Sequence, residues 1–191
     1  MGKRWALISV WDKTGVVELG RVLSAAGLGI LATSKSAAEL RAAGLAVTEV
    51  SEWTGALEIL GGRVKTLHPK VAAGILSRRE DEHIELIDVV VCNLYPFADG
   101  LRRGLKVEEM IELIDIGGVT LLRAAAKNWE FVTPVPAPEY YPLVMSEFQR
   151  NQGVSRAQRL QLAAATFDLT SNYDKLVSGY LKHLLTDIAN L

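Results

Sequence analysis

Trp5-Ala6-Leu7-Ile8-Ser9-Val10-Trp11-Asp12-Lys13-Thr14-Gly15 runs from a short apolar segment through a polar turn into a helical pattern. Residues 5–10 are too short and too apolar for a surface helix and read as a buried strand. Asp12 to Gly15 turns the chain, and Val16, Val17, Leu19, Val22 and Leu23 then recur at helical spacing until Gly27 closes the helix. Residues 28–33 predict a second strand and residues 45–50 a third. Between them, Ser36 with Glu39 three positions on predicts a capping box, opening a helix that runs through Ala43 and stops at Gly44. Strand, helix, strand, helix, strand at this spacing is the pattern of a parallel sheet covered by helices.

Outward from that core the pattern is less regular. Residues 52–60 predict a short helix, and residues 71–76 a strand or an apolar turn. Residues 87–94 (Ile87-Asp88-Val89-Val90-Val91-Cys92-Asn93-Leu94) form the clearest core strand, which delivers Tyr95-Pro96-Phe97 at its carboxyl end. Residues 107–113 predict a helix with Val107, Met110, Ile111 and Ile114 on one face. Residues 131–135 predict an outer strand, because Pro134 cannot donate to a ladder. Ser155 with Gln158 is a second capping box, starting a helix that reaches about Leu185. No repeat, low-complexity segment or linker interrupts residues 1–191, which are expected to form a single domain.

Composition narrows the function. The chain has 191 residues, 49% of them hydrophobic, and a net charge of −1, enough for a proper core and too little charge for non-specific nucleic-acid binding. Cys92 is the single cysteine, which leaves no intrachain disulfide and fits a reducing cytoplasm. His68, His83 and His183 show no metal-ligand spacing. No apolar run reaches the roughly 18 residues that span a bilayer. The expectation is a cytoplasmic protein with no membrane, nucleic-acid or metal partner.

The chemistry is expected where Ile114-Asp115-Ile116-Gly117-Gly118-Val119-Thr120 enters a helix that continues through Arg123 and Lys127 to Asn128. An acid precedes two glycines; glycine admits close backbone approach, and helix-start N–H groups favour negative charge. Thr120, Arg123 and Lys127 share one helix face. The segment 59–79 has no acid and carries Arg63, Lys65, His68, Lys70, Arg78 and Arg79, which suggests an anionic ligand such as a phosphate; a solvated basic loop accounts for the same residues. In parallel sheets ligands sit beyond the carboxyl ends of the strands, which places Ser9 to Thr14, Thr33 to Ser36, Tyr95 and Asp115 to Gly118 together. No nucleoside-triphosphate loop and no GxGxxG after a strand is present, so ATP and NAD are poor ligands for this chain. Taken alone, Tyr95 is more commonly a core residue, and His68 before Pro69 a structural one.

Four segments together resemble the IMP cyclohydrolase domain of the bifunctional purine-biosynthesis proteins: residues 8–15, residues 62–69, Cys92-Asn93-Leu94-Tyr95-Pro96-Phe97 and residues 114–128. They occur in family order and span nearly the whole chain. The resemblance implies a three-layer α/β/α fold with a mostly parallel central sheet, methylglyoxal-synthase-like. It also implies cofactor-free closure of 5-formamidoimidazole-4-carboxamide ribonucleotide to IMP and water by a homodimer. By the same resemblance, Asp115 and Lys127 would manage the carboxamide protons, and Lys65 and Tyr95 would serve the formyl oxygen. Arg63, Thr66, Gly117 and Gly118 would line the substrate, while Ser9, Lys13, Thr14, Ser34, Lys35 and Ser36 would hold the 5′-phosphate. The family's transformylase portion has no counterpart within residues 1–191.

This chain departs from the family pattern at Trp11, where Ser is usual, and at Ser34-Lys35, where the family usually has two glycines. Two family histidines are replaced by Ala72 and Leu169. A non-catalytic phosphate-sensing module of the same fold would keep the anion loops without needing Asp115, Lys127 and Tyr95 together. Methylglyoxal synthase itself would need an acidic set whose motifs are missing.

Overall fold

The computed structural model describes residues 3–80 and 83–189. Strands β1 (Arg4–Ser9), β2 (Gly29–Ala32), β3 (Val47–Glu49), β4 (Leu86–Cys92) and β5 (Thr133–Val135) form one sheet in the order β3-β2-β1-β4-β5, and every pairing is parallel. Pro134 lies on the edge strand β5, as expected of a residue without an N–H.

Alternation along β1 separates two cores. Ala6 and Ile8 join Val16, Leu19 and Leu23 of α1 (Val16–Ala25), Leu40 of α2 (Ser34–Ala42) and Tyr141, Val144 and Phe148 of α8 (Tyr141–Asn151). Trp5 and Leu7 face the other way, onto Val50 and Trp53 of α3 (Val50–Thr54), Val71 and Ile75 of α4 (Pro69–Leu76) and Leu121, Leu122 and Ala125 of α7 (Gly117–Lys127). Helices on both faces of a parallel sheet make the expected three layers. Short helices α5 (Phe97–Arg103) and α6 (Val107–Glu112) close one end. The 34-residue helix α9 (Arg156–Ala189) packs along α7 and the β5 edge, covering a strand that would otherwise present unpaired backbone groups.

Three expectations change. Residues 71–76 are helical: Pro69 sits at the first turn, where its missing N–H costs nothing, and His68 Nδ1 accepts the Lys70 N–H at 3.1 Å. Ser36 does not cap α2. That helix begins at Ser34, and the buried Ser36 hydroxyl instead meets Val10, accepting its N–H at 3.2 Å and donating to its carbonyl at 3.3 Å. Of the helix expected over residues 52–60 only the start is helical, because α3 ends at Thr54 and Gly55 takes a left-handed conformation. The second capping box forms as the sequence indicates, with Ser155 N–H donating to Gln158 Oε1 and Gln158 N–H to Ser155 Oγ.

Candidate active site

The carboxyl ends of β1, β2 and β4 open into a cavity of about 520 Å³. Ser9, Lys13, Ser34, Lys35, Arg63, Lys65, Thr66, Tyr95, Asp115, Gly117 and Gly118 all line it, so most of the residues singled out in the sequence converge on one space. Three do not. Thr14 is exposed behind the loop, its N–H held by Asp12 Oδ1 at 2.9 Å. Ser36 is buried against Val10. Lys127 is exposed in the last turn of α7, and an unbroken helix carries it about 14 Å along the axis from Gly118. Within one chain, Asp115 and Lys127 do not meet.

At the inner end of the cavity, Asp115 accepts the Gly118 N–H at 2.6 Å, so its carboxylate caps the start of α7. The glycines are explained by proximity rather than by unusual dihedrals. A Cβ on Gly118 would lie 2.5 Å from Asp115 Oδ2, and one on Gly117 would lie 2.9 Å from Thr66 Oγ1. Burial raises the Asp115 carboxyl above its ordinary value, opposed by the Gly118 N–H, the Tyr95 main chain and the charge of Lys65. Cys92 lies beside it, buried, its thiol pushed well up by burial and by Asp115, so it is no nucleophile. The Tyr95 ring stands edge-on to Trp11, centroids 5.2 Å apart.

The outer end is polar and open. The first intrahelical bond of α2 is Ala37 N–H to Thr33 carbonyl, 2.8 Å, which leaves the N–H groups of Ser34, Lys35 and Ser36 without partners inside the helix. None of these residues has a positive φ, so the absent glycines cost no strain. Thr33 Oγ1 lies 3.4 Å from Ser9 Oγ. Lys13 Nζ donates to the Val10 and Trp11 carbonyls, each at 3.3 Å, and Lys35 Nζ stands 5.9 Å over the Trp11 ring.

The structure adds residues that no local pattern marked. Glu58 lines the outer end and accepts the Ser34 hydroxyl, placing a carboxylate where an anion is expected. Asn93 clamps the loop after β1: its Oδ1 accepts the Trp11 and Asp12 N–H groups at 2.7 and 3.0 Å, and its Nδ2 donates to the Asp12 carbonyl at 2.8 Å. The acid-free segment proves to be largely consumed internally. Arg63 pairs with Glu112, Lys70 with Glu85 at 3.0 Å and Arg79 with Asp88 at 2.9 Å, leaving Lys65 as its cation nearest Asp115.

A family model described as the MGS-like domain matches residues 15–120, more than half of the sequence. The chain belongs to the MGS-like domain family. Residues 125–190 of this MGS-like chain match a second model, the AICARFT/IMPCHase bienzyme. It is 47% identical over 193 residues to the bifunctional purine biosynthesis protein PurH of Ruminiclostridium cellulolyticum, covering 96% of this chain and 38% of the relative. It is 46% identical over 190 residues to the PurH protein of Persephonella marina, covering 95% and 37% respectively. The chain thus spans less than two fifths of the length of these curated relatives. A solved structure titled "Crystal structure of ForH" superposes with a TM-score of 0.76 at 32% identity, covering 93% of this chain and 98% of that one. The fold expected from the resemblance, a methylglyoxal-synthase-like α/β/α sandwich, is the fold observed.

Proposed function

We propose that this chain is an IMP cyclohydrolase that closes 5-formamidoimidazole-4-carboxamide ribonucleotide to IMP and water. The observation that carries the reading is the inner end of the cavity. There a half-buried carboxylate with a raised pKa shares the space with Lys65 and Tyr95, below the open N–H groups of the α2 start. The reaction needs a weak amide nucleophile deprotonated and a carbonyl oxygen made into a leaving group, so it needs an acceptor and donors placed face to face.

The carboxamide nitrogen attacks the formyl carbon, forming the new C–N bond as Asp115 takes one of its protons. The formyl oxygen, developing negative charge, is met by the Lys65 ammonium and the Tyr95 hydroxyl and becomes a hydroxyl. It departs as water with the proton from the neighbouring formamide nitrogen, leaving the C=N bond of the hypoxanthine ring. The 5′-phosphate is held at the outer end by the Ser34–Ser36 N–H groups, Lys35, Lys13 and Ser9. No cofactor enters this scheme. Within one chain Lys127 lies at the far end of α7, and it enters no step of this scheme.

Purified protein given the formamido ribonucleotide alone is expected to develop the hypoxanthine absorbance of IMP. No turnover at any pH between about 5 and 9 would leave the chain a binding module. We also propose that it works as a homodimer in the cytoplasm. Leu176, Leu181 and Leu185 are exposed along α9 and support a self-associating face, and no helix of the described residues is long and apolar enough to cross a membrane. A monomeric mass in solution would remove the dimer.

A further inference from the structure

We propose that Tyr173, on α9, is a positioning residue that sets the main chain of Asp115 and so holds its carboxylate on the start of α7. The proposal rests on the reading of Asp115 as the proton acceptor. Tyr173 lies 58 positions from Asp115, yet its hydroxyl oxygen accepts the Asp115 N–H at 2.7 Å and donates to the Leu113 carbonyl at 2.6 Å. One hydroxyl therefore satisfies two backbone groups on either side of Ile114, just where α6 hands over to the Gly117-Gly118 turn. Both are short bonds of good length, and neither group has another partner in the turn.

The phenol is fixed from behind. Tyr173 is 8% exposed and packs with Phe97 and Met110, its ring edge-on to Phe97 at 6.1 Å. Phe97 follows Tyr95-Pro96 directly, so one aromatic pair braces the segment that carries Tyr95 and the segment that carries Asp115. Burial pushes the phenol up to about 12, so it keeps its proton and remains a donor to Leu113 throughout the working pH range. The ionisable groups around the pair are Lys65 and Cys92 at Asp115, and Asp174 and Tyr95 at Tyr173.

The location of Tyr173 matters as much as its contacts. Asp115 falls in the portion matched as MGS-like, and Tyr173 in the portion matched by the bienzyme model. The general sandwich supplies the carboxylate, and the added helix supplies its clamp.

Tyr173→Phe removes only the hydroxyl. It is expected to lower kcat about 10- to 100-fold, as small misplacements at reacting centres do, with KM changed less than about twofold. Carbon-13 NMR of the Asp115 carboxyl should show it titrating lower than in the parent, nearer an ordinary aspartate, as the freed carboxylate swings toward water. A variant that loses thermal stability but keeps its kcat and its Asp115 titration would overturn the proposal, since that is what packing alone predicts. In the unsubstituted protein the Asp115 amide should be protected from hydrogen exchange, and rapid exchange would overturn it as well, whether or not the variant folds. Asp115→Asn separates the two levels: full turnover there sinks the role of Asp115 itself. Loss there with an unaffected Tyr173→Phe sinks only the clamp.

Discussion

Two helices aim their N-termini into the same cavity and use them in opposite ways. At α7 the positive end is already neutralised from within, because Asp115 accepts the Gly118 N–H. At α2 the N–H groups of Ser34, Lys35 and Ser36 have no partner within the helix. One terminus therefore holds a carboxylate in a fixed place, and the other leaves its N–H groups open to an incoming anion. Both are anion sites by the same physics. What distinguishes them is whether the chain supplies its own anion three residues ahead.

The sharpest way to break this contrast is at the carboxylate. Asp115→Asn keeps an oxygen to accept the Gly118 N–H but cannot take a proton, and kcat is expected to fall by 10² to 10⁴. Its stability should move the other way. Burial makes the native carboxyl hold its proton more tightly than the unfolded chain does, so it favours the native state in acid. That contribution is lost as pH rises through the raised native value. The neutral variant should melt above the parent at neutral pH, the gap closing below about pH 4. A parent that is more stable at pH 7 would show the carboxylate to be a structural cap first.

Gly118→Ala tests the same site by crowding. The new methyl would lie 2.5 Å from Asp115 Oδ2, and the carboxylate must yield. A loss of kcat of about 10² is expected with KM little changed. Unchanged turnover would mean the carboxylate need not sit on the helix start.

At the α2 terminus the expected effects fall on binding. Lys35→Ala should raise KM roughly tenfold or more, the worth of one charge-assisted contact of about 1.5–3 kcal/mol, and should flatten the dependence of KM on salt. An unmoved KM would assign the phosphate to the backbone N–H groups and Ser9 alone. The smallest effect is expected at Glu58, which accepts the Ser34 hydroxyl and competes with an incoming anion. Glu58→Gln should lower KM by about threefold or less, since exposed charges are well screened. A higher KM would mean that Glu58 contacts the substrate itself.

The parallel core was legible because its signals are local. Strands of the Trp5–Ile8 type and helices closed by Gly27 and Gly44 declare themselves within ten residues. The fourth helix was misread because Val71 to Leu76 is a short apolar run, on which strand and helix periods cannot be told apart. Its start signal, His68 followed by Pro69, outweighs that ambiguity once the side chain is seen to accept the Lys70 N–H. Ser36 failed differently. The capping pattern was present, but a hydroxyl 26 positions from Val10 was drawn to that backbone instead. In the site, Asp115, Lys65 and Tyr95 were legible through the resemblance, and the chain's own geometry supports their convergence. Asn93, Glu58 and Tyr173 were not, because each acts on a segment 24 to 82 positions away, which no local pattern reports. Lys127 shows the reverse. Spacing puts it on one helix with Asp115's turn, and helical rise then carries it away.

The hydrogen bond between Asp115 and Tyr173 also sets an order of events during synthesis. The carboxylate and its glycines leave the ribosome first, and their clamp follows 58 positions later. At about 5–20 residues per second that gap lasts roughly 3–12 seconds. The parallel sheet through β4 can form meanwhile, but the turn at Asp115 waits for the last helix to dock. A nascent chain therefore acquires its parallel sheet before the turn at Asp115 is clamped, because the clamp needs the chain as far as Tyr173.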